Sequence, residues 1–205
     1  MAELILIRHG KTAGNLLGRY IGSRTDEPLC DEGREGLAGK QLPEVERLYV
    51  SPMKRCVETA EILWPGFDRK KMQKVTDLRE CDFGDFENKN YKELSGNGDY
   101  QAWIDSNGTL PFPNGESMDA FKSRCLEAFA RIVEEVSRAE QEWIASGKTG
   151  IFRAGIVVHG GTIMAILEQY GYPKAAYFDY QVKNGCGYRL TPVEGTRLWN
   201  CLCLQ

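Results

Sequence analysis

The sequence predicts an α/β fold of three layers, in which a mostly parallel sheet is flanked by helices. Short, continuous apolar runs, typical of strands buried on both faces, alternate with helical patterns along the chain. The chain has 205 residues, of which 42% are hydrophobic and 27% charged, as in an ordinary globular protein. We therefore expect a single domain over residues 1–205, large enough to form its core without disulfides or metal.

The first predicted elements are two strands and a helix. The apolar run at 4–7 and a shorter run at 48–50 are predicted strands. Ser51 is suited to cap a helix whose first residue is Pro52, and that helix continues to about residue 63. The other predicted elements are, in chain order, a helix at 31–42, a strand at 74–78, a helix at 116–145, a strand that ends at 158, a helix at 162–170 and a closing pair of strands at 187–191 and 196–204.

Residues 82–115 differ in character from the rest of the chain. They are rich in glycine and proline but carry too many aromatic residues for a disordered linker. We interpret them as an irregular insertion with short helices, whose rings mostly pack against one another. The aromatic residues are Phe83, Phe86, Tyr91, Tyr100, Trp103 and Phe112.

Charge and composition argue against several classes of protein. The chain has 26 basic and 29 acidic residues, a net charge of −3, whereas a nucleic-acid-binding protein typically has a basic excess. No apolar run is long enough for a membrane-spanning helix. The first residues lack the pattern of a secretion signal, so we expect a cytoplasmic protein.

The cysteines indicate free thiols. There are seven, an odd number, and no two form a C-x-x-C pair. We expect reduced, mostly buried thiols, as in a cytosolic protein. The chain has only two histidines, and its cysteines lack the spacing of zinc ligands, so no metal site is predicted.

The two histidines occupy matching positions. His9 and His159 each follow an apolar run that is a predicted strand, and each is followed by glycine. In open α/β sheets, the loops at the carboxyl ends of strands line the ligand crevice. We therefore expect the two histidines to face each other there. The glycines that follow them, Gly10 and Gly160, allow the backbone to approach a ligand closely.

Two arginines lie at similar junctions. Arg8 precedes His9 at the end of the first strand, and Arg55 lies in the first turn of the helix after the second strand. The guanidinium fork matches the oxygen atoms of a phosphate group. Together with the histidines, these arginines predict a site for an anionic ligand.

Four segments, in order along the chain, resemble the histidine phosphatase superfamily, which includes the cofactor-dependent phosphoglycerate mutases. Residues 8–12 read RHGKT and resemble its R-H-G signature. Residues 51–60 resemble its S-P-x-x-R-x-x-x-T-A helix, and residues 78–87 its L-x-E-x-x-F-G-x-W-E stretch. Residues 157–161 resemble its V-x-H-G-G segment. The resemblance implies a phosphoglycerate mutase-like fold in which the insertion at 82–115 is a small cap over the pocket.

The resemblance also implies roles for individual residues. His9 is implied as the nucleophile that takes the phosphoryl group, and Glu80 as the acid for the leaving group and then the base for water. His159 is implied both in catalysis and in binding the phosphate. No metal and no cofactor are implied, because cationic side chains stabilise the transferred group. The residues implied to bind phosphate are Arg8, Asn15, Arg55, His159 and Gly160.

One alternative for the acid remains open. Asp82 lies two residues after Glu80, and the sequence alone does not decide between these carboxyl groups.

The second half of the chain narrows the expected substrate. Residues 100–103, 113–117 and 182–186 resemble segments of the α-ribazole-5′-phosphate phosphatases of cobalamin synthesis. Ile21 stands where the mutases carry a threonine, which favours hydrolysis over mutase activity. We therefore expect a small phosphorylated metabolite as the partner, and no nucleic acid or membrane. The oligomeric state is not predicted.

The alternatives are a phosphatase of broad specificity, a phosphoglycerate mutase-like enzyme, a phosphatase of phosphorylated proteins and, from another class, a non-catalytic phosphate-binding regulator. The last alternative is disfavoured because nucleophile, phosphate ligands and acid are all present in the sequence.

Overall fold

The computed structural model describes residues 2–205, which form one seven-stranded sheet and six α-helices. Its strands lie in the order β3-β2-β4-β1-β6-β7-β5. Among these strands, only β6 runs antiparallel to its neighbours. The strands are β1 (Glu3–Arg8), β2 (Arg47–Val50), β3 (Gln73–Lys74), β4 (Arg153–Val158), β5 (Gly171–Tyr172), β6 (Gly187–Pro192) and β7 (Trp199–Leu204). The helices are α1 (Ala13–Leu16), α2 (Asp31–Glu35), α3 (Lys54–Leu63), α4 (Gly98–Asp105), α5 (Met118–Ala145) and α6 (Gly160–Tyr170).

The alternation of side chains along the central strands creates the three layers. Leu4 and Leu6 of β1 belong to the core on the side of α5 and α6. Ile5 and Ile7 point to the other side and belong to the core formed with α3. Because both faces of the sheet are covered, the central strands are apolar throughout. The predicted α/β fold with a mostly parallel sheet is confirmed.

The long helix α5 begins close to its predicted start. The hydroxyl of Ser117 accepts a hydrogen bond from the backbone N–H of Ala120 at 3.2 Å and so caps the helix. Phe121, Phe129 and Val136 are among its buried residues, as the spacing of its apolar positions predicts.

Three predicted elements differ in the structure. The helix α3 begins at Lys54, and Ser51 is not its cap because the Ser51 hydroxyl is buried against His159 instead. The helix expected at 31–42 ends at Glu35. Its Gly33 lies so close to the Lys11 carbonyl that an added Cβ would be 2.0 Å from the oxygen, so packing sets this segment rather than helix propensity.

The strand predicted at 74–78 is the third difference. It shrinks to β3, and residues Thr76–Leu78 form a 3₁₀ turn that leads into Glu80. The closing strands pair as the antiparallel hairpin of β6 and β7, and the two-residue β5 then borders β7.

The insertion at 82–115 is ordered around an aromatic core of its own. It contains α4 and a 3₁₀ turn at Gly84–Phe86. Phe86 is fully buried, and the rings of Tyr100 and Trp103 are stacked with their centroids 6.2 Å apart. Most of these rings pack against one another, as the sequence predicts.

The cysteines are free, and the thiol prediction holds in part. All seven lack a disulfide, but burial is less common than expected. Cys56, Cys81 and Cys125 are buried, whereas Cys203 is exposed on β7. Within residues 2–205, no helix combines the length and apolar character that a membrane crossing requires.

Candidate active site

His9 lies just beyond β1 with its ring in a defined state. Its backbone N–H donates to the Val158 carbonyl at 2.9 Å, so the loop continues the pairing of β1 with β4. The ring Nδ1 lies 2.7 Å from the Gly10 carbonyl oxygen. A carbonyl only accepts, so Nδ1 carries the proton and Nε2 keeps its lone pair. Burial and the cations of Arg55 and Arg8 hold the pKa of His9 well below 6.5. The neutral ring is therefore favoured.

His159 faces His9 from the end of β4. The two rings lie edge to face, with their centroids 5.1 Å apart. His159 is fully buried, and its Nε2 lies 2.8 Å from the Ser51 hydroxyl. Burial, and then the cation of Arg55, lowers the pKa of His159 well below 6.5. The sequence predicted that the two histidines meet, and the structure brings them together.

Arg55 is a fully buried cation on the first turn of α3. Its guanidinium donates to the main-chain carbonyls of Thr25 at 2.8 Å, Gly22 at 3.0 Å and Ile21 at 3.4 Å. The Nε atom is buried and has no hydrogen-bond partner among the described residues. These carbonyl groups orient the guanidinium without neutralising its charge.

Arg8 supplies a second cation to the same place. Its guanidinium donates to the Val182 carbonyl at 2.7 Å, and its Nε also lacks a partner among the described residues. A Cβ added to Gly160 would lie 3.3 Å from this Nε, so the glycine leaves room for the guanidinium at the start of α6. Burial lowers the pKa of Arg8, and the carboxyl of Glu80 partly offsets this effect.

Glu80 is the buried carboxyl group beside these cations. One carboxyl oxygen, Oε1, accepts from the Cys81 N–H at 3.0 Å, and Oε2 accepts from the Gly161 N–H at 3.2 Å. A Cβ on Gly161 would lie 2.5 Å from Oε1, so a glycine is needed there. Burial raises the pKa of Glu80 above 4.5 despite both hydrogen bonds and both arginines. Burial thus favours the protonated carboxyl, which is the form of a general acid.

Asp82, the alternative acid, is engaged elsewhere. Its Oδ1 pairs with Arg24 Nε at 2.8 Å and accepts the Gly84 N–H at 2.9 Å. Glu80 lines the cleft that holds His9, and Asp82 does not. The geometry therefore favours Glu80.

Two asparagines border the site. Asn15 lies in α1, where its side chain accepts from the Thr12 N–H at 3.2 Å. The amide Nδ2 of Asn184 donates to Asn15 Oδ1 at 3.2 Å and to the His9 carbonyl at 3.1 Å. Asn184 thus ties the loop before β6 to the loop after β1.

Asn184 and Ser51 also belong to the site, although neither was predicted as a site residue from the sequence. Both lie within segments that resemble known phosphatases, at 182–186 and 51–60. Their roles depend on contacts across the sheet, which a linear pattern does not show.

A cleft of about 440 Å³ opens over the site. Arg8, His9 and Glu80 lie at its floor, and the aromatic insertion and the segment before β6 form its walls. The aromatic side chains that line it are Tyr20, Phe83, Trp103, Phe112, Phe121, Tyr177 and Phe178. Such a cleft fits a ligand with an anionic end and a flat apolar body.

No metal-binding cluster is found within residues 2–205: three or more His, Cys, Asp or Glu side chains do not converge there.

Comparisons with known proteins agree with this geometry. A relative from Arabidopsis thaliana, phosphoglycerate mutase-like protein 4, is 30% identical over 178 residues, covering 82% of this chain and 70% of the relative. The adenosylcobalamin/α-ribazole phosphatase of Salmonella typhimurium is 28% identical over 203 residues, covering 94% of this chain and 92% of that protein. The crystal structure of the α-ribazole phosphatase of Shigella flexneri has the same fold, with a TM-score of 0.73 at 23% identity over 98% of this chain and 95% of that one. The model of the histidine phosphatase superfamily (branch 1) matches residues 4–203, and the chain belongs to that superfamily.

Proposed function

We propose that this chain hydrolyses a phosphate monoester in two steps, by transferring the phosphoryl group to His9 and then to water. The proposal rests mainly on the protonation state of the His9 imidazole. Its Nδ1 proton is held by the Gly10 carbonyl, which leaves Nε2 unprotonated beside two arginines whose Nε atoms have no partner among the described residues. A neutral imidazole is a good nucleophile near neutral pH.

In the first step, the Nε2 lone pair of His9 forms a bond to phosphorus, and the bond from phosphorus to the leaving oxygen breaks. Arg8, Arg55 and His159 surround the place where negative charge spreads over the other phosphate oxygens. Glu80 gives its proton to the leaving oxygen, and the alcohol departs. The raised pKa of Glu80 supports this assignment.

In the second step, water takes the place of the alcohol. The Glu80 carboxylate accepts a proton from water, whose oxygen bonds to phosphorus while the bond from phosphorus to nitrogen breaks. Inorganic phosphate leaves, and His9 and Glu80 return to their starting states.

The substrate we propose is α-ribazole-5′-phosphate, which yields α-ribazole in the nucleotide-loop branch of cobalamin synthesis. The Salmonella relative that covers almost the whole chain supports this choice. The cleft supports it as well, because the partly exposed Trp103 and the exposed Phe178 can contact a flat base away from the phosphate end. The free thiols are compatible with the cytoplasmic location that the sequence predicts.

Phosphate release with chelator present tests the proposal. We expect kcat/KM for α-ribazole-5′-phosphate to exceed that for 3-phosphoglycerate and for a nucleoside monophosphate by about 100-fold, or ~2.7 kcal/mol of transition-state preference. Similar turnover of all three would overturn the substrate assignment and leave a phosphatase of broad specificity. Interconversion of phosphoglycerates, with little phosphate release, would instead identify a mutase, as the name of the Arabidopsis relative suggests.

A further inference from the structure

Arg124, on α5, does not line the cleft but binds the segment that carries Glu80. Its Nη1 group donates to the carbonyls of Asp77 at 2.7 Å and Arg79 at 2.8 Å. Its Nη2 group donates to the carbonyl of Glu80 at 3.0 Å. One guanidinium therefore holds three carbonyls of the loop that ends at the proposed acid.

The same guanidinium is fixed by a carboxylate. The two carboxylate oxygens of Glu116 accept hydrogen bonds from Arg124 Nε at 2.7 Å and Nη2 at 2.8 Å, in a fork-to-fork pair. Both side chains of this pair are about four-fifths buried. The backbone N–H of Glu116 also donates to the Asp82 carbonyl at 2.9 Å, so the segment is held on both sides of Glu80.

Only arginine among the natural side chains offers this set of donors. Lysine has a single point of charge on a flexible stem and cannot keep a planar fork on Glu116 while reaching three carbonyls. The structure thus uses α5 to set the position of the Glu80 backbone, while the Gly161 N–H at the start of α6 holds its carboxyl group.

We propose that Arg124 is a positioning residue for proton transfer by Glu80. The inference rests on the proposed role of Glu80 as the acid. Loss of the fork lets the segment relax, and the carboxyl then leaves the place where it can reach the leaving oxygen. A misplacement of ~1 Å in an active site can lower the rate by about 100-fold.

The experiment compares two leaving groups in four variants, R124M, R124K, R131M and E80Q. p-Nitrophenolate departs as an anion and needs little help from an acid, whereas an alkoxide needs the proton. We expect R124M to lower kcat/KM for an alkyl phosphate about 10-fold or more beyond its effect on p-nitrophenyl phosphate. We also expect the alkaline limb of its pH profile on the alkyl phosphate to flatten, and R124K to regain part of the loss.

Arg131→Met is the matched control. Arg131 lies on the same helix and pairs with the Asp77 carboxylate at 2.6 Å, but this pair is exposed and touches no carbonyl of the segment. The substitution removes the same charge from the same face of α5, so we expect R131M to hydrolyse both substrates at nearly wild-type rates.

Equal losses on both substrates in R124M, with an unchanged pH profile, would overturn the positioning role. If R124M does not fold, the same comparison is made with R124K. Equal losses of kcat/KM on both substrates in R124K would likewise overturn the positioning role. E80Q separates the two proposals: if it too shows no dependence on the leaving group, the proposed acid is wrong. If E80Q shows the dependence and R124M does not, only the role of Arg124 fails.

Discussion

The imidazole of His159 and the hydroxyl of Ser51 lie 2.8 Å apart, at the carboxyl ends of β4 and β2, two neighbouring strands of the sheet. Both residues are fully buried. Ser51 directly follows β2 and keeps the sheet pairing, since its N–H donates to the Val157 carbonyl at 3.0 Å. The sheet thereby sets the orientation of the His159 ring.

Replacing Ser51 with alanine tests this orientation. The variant removes the oxygen partner of the buried His159 Nε2 and leaves only the Cys56 thiol, whose sulfur lies 3.6 Å away, so we expect the free energy of unfolding to fall by about 1–3 kcal/mol. The ring also loses its fixed direction, so we expect kcat/KM to fall about 10-fold. Denaturant unfolding and phosphate release measure the two effects, and Ser137→Ala, on the exposed face of α5, is the control. Wild-type kinetics in S51A would show that the hydrogen bond does not orient His159.

The buried arginines predict that the protein binds phosphate without substrate. At about 100 times its dissociation constant, phosphate should stabilise the fold by about 2.7 kcal/mol and raise Tm by about 5–10 °C. Arg55→Met removes the fully buried cation and should abolish this rise. Arg69→Met, which loses only an exposed pair with Glu61, should keep it. Thermal scans with and without phosphate decide the matter, and an equal rise in R55M would contradict the anion site.

If Glu80 rather than Asp82 is the acid, substitutions at the two positions should have different effects on kcat/KM. Glu80→Gln cannot donate a carboxyl proton, so its kcat/KM should fall about 100-fold or more on an alkyl phosphate and far less on p-nitrophenyl phosphate. Asp82→Asn should keep both rates within a few-fold, because Asp82 is paired with Arg24 and lies outside the cleft. The reverse pattern would move the acid to Asp82.

The same carboxyl predicts a dependence of stability on pH. The pKa of Glu80 is raised on folding, so its protonated form stabilises the fold at low pH, and this contribution is lost as pH rises from 4.5 through the folded-state pKa. Glu80→Gln has no such proton to lose. We therefore expect the variant to be more stable than the wild type at pH 8, and the difference to shrink toward pH 4, in denaturant unfolding. A constant difference across this range would contradict the raised pKa.

The histidines act in the opposite direction. Their pKa values are held well below 6.5 in the fold, so the unfolded chain takes up protons that the folded chain does not. Stability should fall as pH drops below 6.5, by up to about 1.4 kcal/mol per pH unit for each histidine. In His9→Gln, the fall in the free energy of unfolding that the two histidines cause between pH 7 and 5 should be about half as large. Denaturant unfolding at both pH values measures this fall. An unchanged slope would mean that His9 titrates normally in the fold.

The positions of His9 and His159 could be predicted because the apolar runs before them and the topology of a parallel sheet agree. Parallel strands end at one edge of the sheet, so His9 and His159 had to meet there once their apolar runs were identified as strands. The apolar spacing of α5 also specified a helix over nearly its whole length.

Other features depend on contacts that a linear pattern does not contain. Ser51 has the sequence context of a helix cap, yet its hydroxyl is taken by His159. Glu80 and Asp82 are two residues apart, yet their tertiary contacts differ: Glu80 accepts the Gly161 N–H, whereas Asp82 pairs with the Arg24 guanidinium. Asn184 joins two loops that are 175 residues apart in the chain, so no local signal marks it.

Trapping a phosphorylated form of the protein tests whether His9 is the nucleophile. The enzyme is quenched during turnover, and its peptides are analysed under alkaline conditions, in which phosphohistidine survives. We expect phosphate on the peptide that contains His9 and none in His9→Gln. In Glu80→Gln we expect this phosphate to accumulate when p-nitrophenyl phosphate is the substrate, because its leaving group needs no acid and the proposed base for water is missing. Phosphate on another residue, or full turnover by His9→Gln, would show that His9 is not the nucleophile.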